Sequence, residues 1–221
     1  MVVNFLDDII LRNLRQMATS NLQHCYDTKS DDYARAHARW LRYAGGEAQC
    51  AFEGAVTALL KPGSRVLDAA CGTGTVARRL LSETTGMFEL VLLDASAQML
   101  AKCWDIPAER ITSCITNVPF ANGHFDLVTC AWGIEVLRDP RPALRELVRV
   151  TRPGGHICLV FCADRPARSI VDRALRRHVS WSGRGRFLDH SLIRELAVTA
   201  GAHHVQTLHC SGPAAAVIIH V

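Results

Sequence analysis

The chain has 221 residues, 49% of them hydrophobic and 21% charged, with a formal net charge of +4. That length suits one domain with a full core, and the composition is that of a soluble globular protein. No run of about eighteen apolar residues occurs, which argues against a membrane-spanning helix. The mild charge, with no recognition motif and few aromatics among the basic residues, gives no sign of nucleic-acid binding.

The N-terminal MVVNFLDDIILRNLRQM carries Asp7 and Asp8 where a secretion signal would be basic, so a cytoplasmic location is expected. From Asn4 to roughly Asn21, residues Phe5, Leu6, Ile9, Ile10, Leu14 and Met17 fall close to helical spacing. After the polar break CYDTKSDDY, Ser30 or Asp31 is placed to cap a helix running to Tyr43. Gly45-Gly46 then punctuates, and a further helix is predicted from Glu47 to Leu60, ended by Lys61-Pro62-Gly63.

Beyond this point strands and helices alternate. Predicted strands cover Arg65 to Ala70, Phe88 to Asp94, Arg110 to Thr116, Phe125 to Ala131 and Ile157 to Cys162. Helices are predicted for Thr75 to Leu81, Ala97 to Trp104 and Pro140 to Val150, the last stopped by Pro153-Gly154-Gly155. A helix to about His178, a Gly/Ser loop and a helix from Ser191 to Ala200 follow, then strands near Val205 to His209 and Ala214 to Val221. This alternation predicts an α/β fold, a doubly wound and mostly parallel seven-stranded sheet. Residues 1–61 read as a helical extension or lid packed on the core, and residues 62–221 as the ligand-binding domain of the same structural unit.

Nine cysteines contain no C-x-x-C pair, and Cys158 and Cys162 share one face of an apolar strand. They read as buried thiols of a reducing compartment, with no metal site. A thiol surface for a soft metalloid is disfavoured because the cysteines fall mostly in strands. Of the 25 basic residues 22 are Arg, seven of them between Asp164 and Arg186 against two acids. That cluster reads as a solvated helix face, or alternatively as a site for an anionic group or phospholipid surface.

VLDAACGTGTVARRL, residues 66–80, reads as strand, glycine turn and helix start. Gly72-Thr73-Gly74-Thr75-Val76-Ala77 even satisfies the dinucleotide pattern G-x-G-x-x-G/A. Small residues Ala69, Ala70 and Cys71 let backbone amides approach a ligand, and Asp94, twenty residues after Gly74, can accept from both ribose hydroxyls. NAD and S-adenosylmethionine would both use such an acid. Asp68 discriminates between them: its carboxylate would oppose a pyrophosphate but suits a ligand carrying ammonium and sulfonium groups.

With these residues the chain resembles class I S-adenosylmethionine-dependent methyltransferases, in the branch of the ubiquinone/menaquinone-biosynthesis enzymes. The resemblance runs from about Pro62 to Ala163, more weakly to the C-terminus. It rests on VLDAACGTG, LLDASAQML, NVPFANGHFDLV and RDPRPALRELVRVTRPGGHICLV in that order. It implies a Rossmann-like methyltransferase fold closed by an antiparallel strand pair, and a cofactor site adding Ala95, Met99, Thr116, Asn117, Val118, Ala131 and Trp132. Ala70 stands where the family usually has glycine. Cys114-Ile115 replaces a usual Asp-Ala, so adenine recognition is expected from backbone groups, Thr116 or Asn117.

The resemblance also places Trp132 and Glu135 where donor and acceptor meet. Trp132 could face the cationic centre or serve as a wall aromatic. Glu135 could orient an amine or take a proton, or could simply stabilise a helix start. Tyr26 and Tyr33 belong to a stretch that in similar enzymes forms a lid, with Tyr26 a catalytic candidate and Tyr33 a cofactor contact. His24 reads as a surface residue, and the adjacent His203 and His204 point to opposite strand faces and form no ligand pair. The expected activity is methylation of a small molecule. Headgroup N-methylation of a phospholipid, with peripheral membrane contact, and a non-catalytic cofactor-binding partner subunit are the alternatives.

Overall fold

The computed structural model describes residues 35–84, 87–165 and 186–221, together with Ile170, Arg173, Ala174, Arg176 and Arg177. The predicted N-terminal helix, Tyr26, Tyr33 and His24 lie outside the described residues. Runs such as Leu90 to Leu93 are apolar at consecutive positions, as strands covered on both faces must be. They form one seven-stranded sheet: β1 (Arg65–Ala69), β2 (Glu89–Asp94), β3 (Glu109–Thr112), β4 (Phe125–Ala131), β5 (Thr151–Cys162), β6 (His204–Ser211) and β7 (Ala214–His220). The order is β3-β2-β1-β4-β5-β7-β6, with β1 to β5 parallel and β7 antiparallel to both β5 and β6. The strand order reverses beside β1, so the switch point lies where β1 and β4 end.

Helices cover both faces. These are α1 (Gly46–Leu59), α2 (Thr75–Glu83), α3 (Ala97–Ala101), α4 (Arg141–Val150) and α5 (His190–Thr199). On one face, Leu144 and Leu147 of α4 and Ile193 of α5 pack with Leu67, Val128, Phe161 and Val217. On the other, Phe52 and Val56 of α1 and Val76 and Leu80 of α2 pack with Val66, Leu92, Val160 and Ile218. The helix α1 therefore forms half of a core layer, lying across β5, β6 and β7.

Local detail departs from the sequence reading at four places. Gly45-Gly46 does not break the chain's helix: residues 35–40 are helical, Leu41–Gly45 forms a π turn, and α1 continues from it. A Cβ at Gly45 would lie 2.6 Å from Trp40 Nε1 and 2.8 Å from Trp132 Cη2, so glycine serves close packing there. The strand β3 ends at Thr112 rather than Thr116, because Asn117 N turns back onto Cys114 O at 2.9 Å. The helix α3 is one short segment ending at Ala101, followed by turns to Ile106. Pro153-Gly154-Gly155 does not separate helix from strand. The strand β5 starts at Thr151 and runs through it, its register on β4 jumping from Phe125↔Thr151 to Leu127↔His156 as at a bulge.

Three arginines of the 164–186 cluster bind backbone carbonyls: Arg165 to Cys210 O, Arg176 to Ala163 O and Gly212 O, and Arg186 to Arg138 O. Their charge anchors loops at the carboxyl end of β5. Among the described residues no helix is long and apolar enough to cross a membrane.

Phe52 is fully buried between α1 and the sheet. Its replacement in Phe52→Ala should cost about 3–5 kcal/mol, read as a lowered midpoint in denaturant unfolding with little change in slope.

Candidate functional site

The chain leaves β1 through a loop that L-amino acids rarely tolerate. Ala70, Gly72 and Gly74 all have positive φ, at 55°, 54° and 77°. Gly74 N closes the turn on Cys71 O at 2.9 Å, and Gly74 then precedes the first residue of α2. The loop is tied to β2 by two bonds, Cys71 N to Leu93 O at 3.0 Å and Gly72 N to Asp94 Oδ2 at 2.8 Å. The other oxygen of Asp94 accepts from Ser96 N at 2.8 Å, and Ser96 caps α3 through Met99 N. One carboxylate thus holds both loops at the carboxyl end of the sheet.

Ala70 keeps its left-handed backbone although it carries a Cβ. The space comes from Gly133, where a Cβ would fall 2.6 Å from that of Ala70 and 3.1 Å from Cys130 Sγ. Trp132, next to Gly133, is itself left-handed at φ 55°. Two strained non-glycine residues at one crevice are a signature of a functional site.

Asp68 is 1% exposed in the middle of the sheet. Its Oδ1 accepts from Thr129 Oγ1 on β4 at 2.9 Å, while Oδ2 is buried without a hydrogen-bond partner. Burial raises its pKa to about 7; the Thr129 bond opposes this, the Asp94 charge adds to it, and the nearby Ala77 amide opposes it without reaching bonding geometry. Asp68 lines a crevice with Ala70, Cys71, Ala131, Trp132, His37 and Gln49. Trp132 Nε1 donates to Gln49 Oε1 at 2.7 Å, and the Trp40 ring meets that of Trp132 edge-on at 5.7 Å. Burial holds the His37 imidazole below its ordinary value. The enclosed space is about 20 Å³, room for one water.

Glu135 follows on a short 3-10 turn, Ile134–Val136, and is also buried. Its Oε1 accepts from Cys162 N at the end of β5 at 3.3 Å, and Oε2 has no partner. Burial raises this carboxyl to about 7 as well, against the opposing bonds from its own amide and Cys162. It lies outside the Trp132 crevice, beneath the carboxyl end of β5.

The sequence-predicted residues thus divide. Asp68, Ala70, Cys71, Ala131 and Trp132 meet in the crevice, with Gly72 and Gly74 in the loop after β1 and Asp94 at the end of β2 holding that loop. Ala69 and Met99 are buried in the core, and Ala95 joins Asp94 to the cap of α3. Thr116, Asn117 and Val118 sit on the loop after β3, where Thr116 Oγ1 donates to Cys114 Sγ and Val118 N to Glu146 Oε2. His37 and Gln49 were not foreseen. Gln49 had a visible signal, a polar residue on the apolar stripe that also holds Ala48 and Phe52. His37 had none. Among the described residues no group of three His, Cys, Asp or Glu side chains is placed to hold a metal ion.

Residues 67–159 match the family model for the methyltransferase domain. That match covers 93 of the 221 residues, under half of the chain. It is similar to the demethylmenaquinone methyltransferase of Corynebacterium glutamicum, 39% identical over 98 residues, 44% of this chain and 41% of that one. It is 33% identical over 120 residues to the ubiquinone/menaquinone biosynthesis C-methyltransferase UbiE of Ectopseudomonas mendocina, 51% of this chain and 46% of that one. The chain therefore spans a little under half the length of these curated relatives, and the matched segment is similar to these quinone-biosynthesis enzymes. Among solved structures, a Thermotoga maritima S-adenosylmethionine-dependent methyltransferase, titled a possible histamine N-methyltransferase, superposes with a TM-score of 0.67 at 20% identity. It covers 89% of this chain and 98% of that one, and shows the shared Rossmann-like methyltransferase fold.

Two measurements probe this crevice and the strand ends around it. Gly133→Ala should destabilise by about 1–3 kcal/mol through overpacking, and adding Ala70→Gly should restore most of it, a coupling a double-mutant cycle in urea would read. The buried carboxyls give a pH signature. Their ordinary values, 3.8 and 4.5, rise to about 7 on folding. The folded state then holds extra protons between about pH 4 and 7, and their contribution to stability falls as pH rises through that window. Asp68→Asn and Glu135→Gln should each flatten this fall and raise stability at pH 8 by roughly 1–3 kcal/mol, seen as a higher thermal midpoint than wild type.

Proposed function

We propose that the protein is an S-adenosylmethionine-dependent methyltransferase acting on a small-molecule acceptor. The observation that carries this reading is the unpartnered oxygen of Asp68, buried in a crevice at the carboxyl ends of β1 and β4. A buried carboxyl with one free oxygen suits a cationic ligand group, because pairing restores the charge that burial disfavours. It would repel the pyrophosphate of NAD in the same place. The residues present fit the methyl donor: Asp68 for its ammonium end, Asp94 for ribose hydroxyls, and the amides of the 70–74 loop for close backbone approach.

The donor, when bound, supplies an electrophilic methyl group on a positively charged sulfur. The chain's own task is alignment and the exclusion of water. Trp132, fixed by Gln49, is proposed as the wall beside the methyl group. Glu135, whose carboxyl titrates near neutral pH, is proposed to take a proton from acceptors that must lose one. Tyr26 and Tyr33 are proposed to cover the methionine end. The quinone-biosynthesis activities for which those relatives are named support a quinone-like ring as the first acceptor class to test.

Calorimetric titration with S-adenosylhomocysteine and, separately, NAD tests the donor. The expected outcome is binding of S-adenosylhomocysteine alone, weakened roughly tenfold to a hundredfold in Asp94→Ala. Because an ammonium partner favours the charged form of Asp68, affinity should rise with pH between about 5.5 and 7.5. Asp68→Asn should bind more weakly and show a flatter profile. Binding of NAD alone overturns the proposal.

A further inference from the structure

All described cysteines are free thiols, and two of them converge on the cofactor loop. Cys71 Sγ lies 3.7 Å from Gly72 O, and Cys103 Sγ, arriving from the turn after α3, lies 3.5 Å from the same oxygen. Both sulfurs therefore meet at one carbonyl oxygen. Packing against the loop is tight, since a Cβ at Gly74 would stand 3.0 Å from Cys103 Sγ. We propose that Cys71 and Cys103 are an oxidisable thiol pair whose disulfide locks the loop and closes the donor site.

The surroundings favour that chemistry over inert burial. Arg78 reaches from α2 to Thr73 O in the loop and to Lys102 O beside Cys103, at 2.9 Å for the latter. Arg110 donates to Cys103 O, to Trp104 O and to Ile106 O. The Cys71 thiol and two guanidinium groups draw Cys103 toward the thiolate, against the effect of burial and of Asp68. Cys71 is half-buried and supplies access, its own thiol pushed up by Cys103, by burial and by the Asp68 and Asp94 charges, while Cys103 is fully covered. Cys158 and Cys162 are strand thiols likewise pushed up by burial.

The oxidant is a hydroperoxide, of which hydrogen peroxide is the smallest. One thiolate takes an oxygen from it as the O–O bond breaks and hydroxide leaves, giving a sulfenic acid. The second sulfur attacks that sulfur, its proton and the sulfenic hydroxyl leave as water, and the S–S bond forms. The pair loses two electrons to the peroxide, and a dithiol reductant reverses the reaction by exchange. Forming a covalent bond of about 2 Å between two sulfurs that share one carbonyl oxygen pulls Cys71 toward α3. Gly72 N, which holds Asp94, moves with it.

The readout on ligand affinity rests on the donor proposed above; the disulfide itself does not. The full chain is treated with hydrogen peroxide, quenched with N-ethylmaleimide, and digested without reductant for mass spectrometry. The expected product is a linked Cys71–Cys103 peptide lighter by two hydrogens, with S-adenosylhomocysteine affinity reduced roughly tenfold or more and restored by dithiothreitol. Cys103→Ser, with Cys103→Ala as the second variant should the first fold poorly, should keep the untreated affinity and lose nothing on oxidation. Separate alkylation of Cys71 and Cys103 after oxidation, or a linked peptide with unchanged affinity, overturns the proposal. If the reduced protein binds no S-adenosylhomocysteine, the donor reading fails, and the thiol pair is then judged by the linked peptide together with a shift in thermal midpoint that dithiothreitol reverses.

Discussion

A carboxyl group in the centre of a parallel sheet is the constraint around which the rest of this molecule is arranged. Asp68 lies on β1, flanked by β2 and β4, where every other side chain of the strand's inner run is apolar. Isolated charge in such a position is expensive, and the protein avoids most of that cost by raising the pKa and offering one hydroxyl, that of Thr129. A structural role alone would be served better by an apolar residue or a fully satisfied one. On the proposed reading, the second oxygen is left for a cationic ligand group. The two apolar core layers, above and below the sheet, absorb the deficit.

The backbone around Asp68 carries a second cost of the same kind. Ala70 and Trp132 both sit in the left-handed region, one at the end of β1 and one at the end of β4. Neither would persist alone, and each is held by a missing side chain opposite. Gly133 makes room for the Cβ of Ala70, and Gly45 makes room for the Trp132 ring. The π turn at Leu41–Gly45 belongs to the same accommodation, because it brings Gly45 and Trp40 onto that ring without ending the helix. Strain at the strand ends is thus matched by close approach from a segment nearly ninety residues away in sequence.

That separation marks what could be read from the sequence. The strands were legible because buried parallel strands are continuous apolar runs, and β1, β2 and β4 fell within a residue of their expected bounds. The loop 70–74 and Asp94 were legible because glycine spacing and an acid at a strand end state a local backbone requirement. Gly45-Gly46 misled because propensity sees two helix-weakening residues, whereas the structure needs their lack of a side chain against Trp132. Pro153-Gly154-Gly155 misled in the same way, since a bulged strand tolerates what a regular one would not. The bond between Trp132 and Gln49 spans 83 residues, and no local pattern announces it.

The turn from Trp132 to Glu135 divides the chemistry into two sides. Trp132 faces the crevice shared with Asp68, whereas Glu135, only three residues later, is turned toward Cys162 at the end of β5. The backbone oxygen of Glu135 also binds Arg186 N, which joins it to the segment after β5. The family match, residues 67–159, covers the crevice and stops within β5, before Cys162. On the proposed reading, the matched segment, which includes Glu135, serves donor recognition. The arginine-anchored loops beyond the β5 end lie outside the match and are then left for acceptor choice.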